Sequence, residues 1–423
     1  LVVELPNGGI KFSEWLTKKY NIYKKNSNPV IYPKYGTAAF RLKGITYKGH
    51  DLSDIDIEVV MTRQEKYKNN SRKPTVSAGT LKQDVERRDF TVNSLLKDLT
   101  TGEILDLTGS GRADIKKGIV RTPLNPDVIF TEDPLRMLRA IRFTVKYGWD
   151  LPMFMIRSIK KNSSKINNIS SERIQSELNK MLISKNPKQA IRLLQITKLS
   201  NYILPELDLL VGLKQNKYHK WDVMTHTLEV LKNTPNKLQT RLAALFHDIG
   251  KVATKEVINN TVHFYNHEEV SADIARDIMK RLKYPNEIIN AVAKNVKSHM
   301  KLKQAGFDAE IITDKALRKL KIDMGDHIED ILDVIHADNI SHGTEYNMPN
   351  QVAKIKSRLK NIDDTTYNKV VLPISGKDIK QYFKLKPGPI YSELLKKVED
   401  AWYGNPALTK KEALLIIKKE LDK

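Results

Sequence analysis

Cysteine is absent from the 423 residues. That excludes a disulfide framework, a thiolate-built zinc finger and a thiol nucleophile, and it suits a reducing compartment, the cytoplasm. Long apolar runs are also absent: none approaches the ~18 residues needed to span a bilayer. The first residues, LVVELPNGG, carry no basic n-region and no long apolar h-region, so they do not read as a signal peptide. Acidic residues are few relative to basic ones, 50 against 72, which gives a formal net charge of +22. Such an excess attracts a polyanion and makes its binding salt-dependent. A lysine-biased proteome produces the same excess, so charge supports a nucleic-acid partner without establishing one.

What is present suffices for a folded protein. Hydrophobic residues make up 40% of the chain, enough for a sizeable core, and the length fits about three domains at ~150 residues each. The first ~125 residues carry short β-rich runs between turn signals: PVIYP, TAAFRL, GITY, IDIEVVMT, GEILDLT and GIVRTP. The run Ile55 to Val60 alternates and then turns apolar, as a central strand does. From Asp133 onward the pattern becomes helical and stays so. PLRMLRAIRFTVKYG predicts a helix with Pro134 at its first position and Gly148 past its end. Further amphipathic helices are predicted at SERIQSELNKMLI, NPKQAIRLLQIT and KLQTRLAALFHDIGK. The expected architecture is an α/β head followed by a long all-α neck, body and tail. Of ten histidines only His50 precedes His219, which points to a second site in the helical half.

Two segments carry the chemistry of the first half. Asp133 and Arg136 stand three apart at a helix start, so both side chains are expected on one face. An aspartate accepts from the exocyclic amine of cytosine or adenine, and an arginine donates to the neighbouring ring nitrogen or carbonyl. Guanine and uracil fit badly, because each offers an acceptor where the amine is needed. An aspartate before proline is equally a helix cap, and Arg136 could simply pair with it. Some forty residues upstream, Asp84-Val85-Glu86-Arg87-Arg88-Asp89-Phe90-Thr91-Val92-Asn93 reads as a charged hinge leading into a packed helix. Arg87 or Arg88 could hold triphosphate oxygens bidentately, or the run could be a solvated charged face.

The order and separation of these segments resemble the class II CCA-adding tRNA nucleotidyltransferases and their relatives, the bacterial poly(A) polymerases. Arg87 to Asn93 is similar to the family's RRDFTxN motif, and Glu132, Asp133 and Arg136 to its EDxxR motif. Ile57 to Arg63, the Leu105 to Gly109 turn, Ile119 to Pro123, Ser375 to Asp378 and Lys386 to Pro389 also resemble it. The resemblance implies a DNA polymerase β-like head sheet. It also implies two carboxylates in an Asp-x-Asp after a Gly-Gly turn, which hold Mg²⁺ ions for the transfer. Leu1 to Pro6 resembles the stretch just downstream of that pair, so the pair is expected upstream of Leu1 and the head is expected to be incomplete. Asp54-Ile55-Asp56 is the fallback metal site. Its spacing from Gly36 is too long for the family, which places Glu58 as a candidate third carboxylate instead.

In the helical half, His226, His247-Asp248 and Asp338 resemble the ligand set of HD-type phosphohydrolases, and His267 and His299 would complete a two-metal version. Imidazole and carboxylate suit Mn, Fe, Ni, Zn or Mg to different degrees. Singly, each histidine is as well read as a helix cap or a carboxylate partner. Gly250 is expected to stop the apolar helix that presents the dyad.

The chain is expected to divide into four segments: a nucleotidyltransferase head over 1–125, a base-reading and RNA-binding neck over 126–215, an HD domain over 216–345, and a tRNA-binding tail over 346–423. The resemblance implies addition of C and A to the tRNA 3′ end from CTP and ATP. Arg87, Arg88, Asp89, Asp133, Arg136 and Arg139 would contact nucleotide, and the tRNA acceptor end would be held through its phosphates. It leaves open a poly(A) polymerase and a catalytically incomplete RNA-binding scaffold. Alarmone synthetase/hydrolases carry the HD domain first, and regulatory uridylyltransferases end in βαββαβ modules; neither fits the order or the helical tail here.

Overall fold

The computed structural model describes residues 1–19, 29–42, 46–53, 55–66, 75–216, 218–303, 305–307, 309–343, 345–362 and 370–422. They form two compact units, Leu1–Ile203 and Leu204–Lys423.

The first unit opens on a mixed four-stranded sheet. Asp56–Met61 lies inside it, parallel to Val2–Val3 on one side and antiparallel to Thr37–Arg41 on the other, with Val30–Tyr32 beyond. The strand predicted around Ile55 to Val60 is therefore central. Its alternation buries Val59 and Met61 and leaves Asp56 and Glu58 exposed. Phe40 and Val59 form a small core with Val3, Phe12, Leu16, Leu42 and Ile57. Phe12 and Leu16 come from the helix Gly8–Lys19, which the sequence patterning does not predict. The helix approaches so closely that a Cβ at Gly9 would stand 2.3 Å from the Gly36 oxygen and 2.4 Å from the Val59 oxygen. Only glycine permits that contact.

Three further expectations in this unit need correction. Ile119 to Pro123 forms no strand: Ile119 makes a single parallel bridge to Asp150. The Arg121 carbonyl is used by the Thr91 amide instead of a ladder. Phe90 leads into a single 3₁₀ turn, Thr91–Asn93, and not into a helix. Helical structure also begins before Asp133, at Gly111–Lys117 and Pro126–Glu132.

The helix predicted to open at Pro134 forms over Leu135–Tyr147, with Pro134 just before its first residue, and it closes on Gly148 in the left-handed conformation. It is buried along most of its length, including Arg136. Ser171–Leu182 and Pro187–Ile196 pack on it.

Among the described residues the second unit is helical apart from one hairpin. Lys255–Ile258 and Thr261–Phe264 pair as an antiparallel hairpin through Asn259 and Asn260, both at positive φ. That is the turn chemistry two-residue hairpins require. The helices Val223–Asn233, Leu238–Phe246, His267–Arg281, Asn286–Ser298 and Ile328–Asn339 pack against one another. The last described residues form a separate core of Ile374, Ile379, Leu394, Val398, Ala413 and Ile417. No helix among the described residues is long and apolar enough to cross a membrane.

Candidate functional site

In the first unit the two motif segments meet. Asp133 lies outside the helix, in extended conformation, and its Oδ1 accepts from the Leu135 amide at 3.2 Å. It therefore caps the helix start, while its Oδ2 faces Arg173 at 3.4 Å. Arg136 turns elsewhere: its guanidinium donates to the Arg87 carbonyl at 2.6 Å and reaches Glu132 at 3.4 Å. Arg139, one helical turn further on, donates through Nε to Asp89 at 2.8 Å. The other Asp89 oxygen accepts from the Phe90 amide and the Asn93 side chain. Buried Asp84 accepts from both Arg87 and Arg88, at 2.6 and 3.0 Å. The 87–93 segment and the helix from Leu135 are thus held together by two arginines that cross about fifty positions of sequence.

The head carboxylates are arranged differently. Asp56 accepts from Arg41 through both oxygens, at 2.8 and 3.0 Å, so it is committed to a neighbouring strand. Asp54 lies outside the described residues. Glu58 opens on a cavity of about 280 Å³ with Tyr32, Tyr35, Thr37 and Arg63. The Leu1 amino group donates to the Glu58 carbonyl at 2.6 Å. A single carboxylate beside an arginine does not by itself make a magnesium site.

The second unit brings its six expected residues together. His226 lies on the helix Val223–Asn233, and His247 and Asp248 just past Leu238–Phe246. His267 opens the helix His267–Arg281, His299 comes just after Asn286–Ser298, and Asp338 ends Ile328–Asn339. Ligand atoms of His226, His247 and Asp338 all lie within 4.8 Å of one another, and so do those of Asp248, His267 and His299. The dyad is not presented as the sequence suggests. The helix ends at Phe246, and Gly250 falls within a 3₁₀ turn, Ile249–Val252. A Cβ at Gly250 would stand 2.6 Å from the His267 oxygen and the Ser271 nitrogen. The glycine lets this turn lie against the start of the next helix, which brings His267 beside Asp248.

The histidines share one device. Nδ1 of His226, His247, His267 and His299 faces a main-chain carbonyl: Ser341, Ala244, Phe264 and Val296, at 2.6 to 3.1 Å. A carbonyl only accepts, so each Nδ1 carries a proton and each ring turns inward Nε2, the atom left to accept when the ring is singly protonated. Those nitrogens then face other acceptors. His226 Nε2 lies 3.0 Å from Asp338, His247 Nε2 3.1 Å from Asp248, and His267 Nε2 3.2 Å from Asp248 and 3.3 Å from His299 Nε2. His247 Nε2 is buried with no hydrogen-bond partner. Acceptors converging on acceptors in a dry site fit divalent cations, and carbonyl-fixed tautomers are what metal-bound imidazoles use. Electrostatics agree. Burial opposes charge on Asp248 and Asp338, yet His247 and Lys251, and Lys303 and His226, hold the two carboxyls well below their usual range. Burial and the neighbouring His247 and His267 push His299 well down. Burial also opposes charge on His247, but Asp248 holds its pKa above normal.

Beside this cluster lies a cavity of about 460 Å³. Its wall includes Tyr218, Phe264, Tyr265, Phe307 and Tyr346, and also Lys251, Lys303, His219 and His342. Sequence reasoning missed these last four. His342 recurs four residues after Asp338, a spacing that places it on the same side, but the lysines carry no signal that separates them from the other lysines of a basic chain.

Three family models match the chain: the poly A polymerase head domain over residues 32–121, the probable RNA and SrmB-binding site of polymerase A over 155–210, and the HD domain over 217–355. Among curated proteins, a CC-adding tRNA nucleotidyltransferase of Thermus thermophilus is 30% identical over 348 residues, covering 79% of this chain and 76% of that one. A multifunctional CCA protein of Neisseria gonorrhoeae is 33% identical over 234 residues, but the match spans only 54% of this chain and 55% of that protein. Among solved structures, the CCA-adding enzyme of Bacillus stearothermophilus in complex with CTP superposes with a TM-score of 0.61 at 21% identity, covering 93% of this chain and 84% of that one. At that identity it shows a shared fold.

Proposed function

The chain belongs to the CC- and CCA-adding tRNA nucleotidyltransferase family, and from that premise we propose that it extends the tRNA 3′ end with C and A from CTP and ATP, in the cytoplasm. The observation that carries the reading is the bond from Arg136 to the Arg87 carbonyl. It ties the base-reading helix to the segment proposed to hold the triphosphate, so base and phosphates are gripped by one connected piece. Asp133, fixed as a helix cap, accepts from the amine of cytosine or adenine, and Arg136 donates to the adjoining ring atom. Arg87, Arg88 and Asp89 adjoin the triphosphate, and Asp89 fixes Arg139. The basic neck and tail take the tRNA backbone. Poly(A) addition is the weaker reading, because the matching relatives are named for CC or CCA addition.

Calorimetry with the four nucleoside triphosphates tests this, together with CMP and AMP incorporation into tRNA lacking its terminal CCA. CTP and ATP should bind at least about tenfold more tightly than UTP and GTP, the discrimination expected of a paired hydrogen-bond reader. Asp133→Ala should remove that preference. Equal affinity for all four would sink the reader assignment.

The HD cluster supports a second, accessory activity. Its orphaned His247 Nε2 and facing acceptors suit divalent ions, held by His226, His247 and Asp338 and by Asp248, His267 and His299. Such ions, when bound, would activate water against a phosphomonoester or 2′,3′-cyclic phosphate. The main-chain carbonyls at Nδ1 orient the histidine rings toward those ions. Turnover of 2′,3′-cAMP with Mn²⁺, Ni²⁺, Co²⁺ or Mg²⁺ is the expected result; its absence with all four would defeat this reading.

A further inference from the structure

Two ammonium groups stand inside the HD cavity, outside the six-residue cluster. Lys303 Nζ lies 2.5 Å from Asp338 Oδ2 and 3.2 Å from His342 Nε2. Lys251 Nζ lies 2.7 Å from Asp248 Oδ2 and 2.7 Å from Gln215 Oε1. Each occupies one oxygen of one of the two cluster carboxylates, and both lysines line the cavity. His342 is set for this purpose by the same device as the four cluster histidines. Its Nδ1 faces the Tyr346 carbonyl at 3.2 Å, which leaves Nε2 to accept from Lys303.

The charge balance has a consequence. Two carboxylates against two ammonium groups leave the cluster neutral without a metal. Each divalent ion then adds two positive charges to a site shielded from water, where uncompensated charge is costly. Lys303 holds Oδ2 of Asp338 while His226 Nε2 faces Oδ1, and Lys251 holds Oδ2 of Asp248 while His267 Nε2 faces Oδ1, so a cation at either carboxylate stands beside an ammonium group that already balances the carboxylate's charge. A metal ion and Lys303 therefore compete for Asp338, and a loaded site can regain balance only by taking in an anion.

We propose that Lys303 is an exchanging counter-cation: it holds Asp338 until a divalent ion takes that carboxylate, then swings about His342 to bind the phosphate of the incoming ligand. This rests on the phosphohydrolase reading of the HD cluster and adds a requirement to it: metal binds first and phosphate second. Lysine suits the task because its ammonium is a compact charge on a flexible stem.

The probes are Mn²⁺ and inorganic phosphate, titrated calorimetrically into the full chain. Wild type should bind phosphate only after Mn²⁺. Lys303→Met should weaken phosphate binding to the Mn²⁺-loaded protein by about tenfold or more, the loss of one charge-assisted contact. The same variant should bind Mn²⁺ more tightly in the absence of phosphate, because the competitor is gone. Opposite signs in one variant are not produced by a damaged fold, and Lys303→Arg should restore phosphate binding. Should Lys303→Met fail to fold, Lys251→Met is the equivalent test at Asp248, with the same pair of opposed changes expected. Parallel loss of both affinities, no change in either, or equally tight phosphate binding without Mn²⁺ would overturn the proposal while leaving the metal site standing. Absence of Mn²⁺ binding in wild type would remove the HD reading and this proposal together.

Discussion

Arg136 donates to the main-chain carbonyl of Arg87 at 2.6 Å, across 49 positions of sequence. A buried guanidinium that meets a carbonyl on one side and Glu132 on the other is a structural tie as well as the proposed base reader. Arg136→Ala should therefore have two effects. It should cost about 1–3 kcal/mol by leaving the Arg87 carbonyl and Glu132 without their partner, measured by urea unfolding. It should also abolish the preference for CTP and ATP over UTP and GTP. Loss of stability with selectivity intact would assign Arg136 to the tie alone.

Arg139 and Asp89 form the second tie. Arg139 is a third exposed, so solvent screening lowers its worth. A double-mutant cycle of Arg139→Ala and Asp89→Asn should give a coupling of about 1 kcal/mol, near the exposed-pair range and not the several expected of a fully buried pair. A coupling near zero would show that Arg139 and Asp89 add nothing to the tie made by Arg136.

Gly250→Ala places a methyl group 2.6 Å from backbone atoms of His267 and Ser271. Backbone cannot give way as a flexible side chain does. The expected cost is about 1–3 kcal/mol, as for other overpacked sites. Because the displaced residue is His267, Mn²⁺ affinity should fall as well. A variant destabilised with unchanged Mn²⁺ affinity would argue that His267 is not a ligand.

Without metal, stability of the second unit should decline as pH falls from about 6.5 to about 4. Burial, with Lys251 nearby, takes His219 down to about 2, and burial with Lys303 takes His342 down to about 4. Both stay neutral in the fold while the unfolded chain, with histidines at about 6.5, takes up protons, so each contributes up to about 1.4 kcal/mol of lost stability per pH unit in that window. His247, raised instead, acts with the opposite sign: its contribution is present below about 6.5 and is lost as pH rises. Asp248 and Asp338, held low, contribute stability above the ordinary carboxylate range and lose it as pH falls through that range and below. Urea unfolding at pH 7, 6 and 5 measures the slope; a flat profile would show that these histidines charge in the folded state.

The parts of this molecule that could be read from sequence are those fixed by local rules. The helix from Leu135 ends on Gly148 because a left-handed cap needs that residue, and the strand Asp56–Met61 announces its central place by its apolar turn. The six HD residues also converge, from five separate helices or their ends. What could not be read depends on distance. Nothing near Asp89 announces Arg139, and nothing near Asp338 singles out Lys303 among so many lysines. The Asn259-Asn260 hairpin is different: its β-branched flanks and left-handed asparagines were a local signal, masked by the helices on either side. Gly9 carries no signal either, since its reason is a strand carbonyl fifty residues away.

The inward nitrogens of the HD histidines are aimed by main-chain carbonyls, not by side chains. Every amino acid has that carbonyl, so no single substitution at Ser341, Ala244, Phe264 or Val296 deletes the group that sets the tautomer. Drift can wear away the neighbours of this site and leave its aim intact. A lineage that abandons the chemistry should therefore record it abruptly, as the replacement of a histidine or aspartate itself, with the surrounding helices still in place.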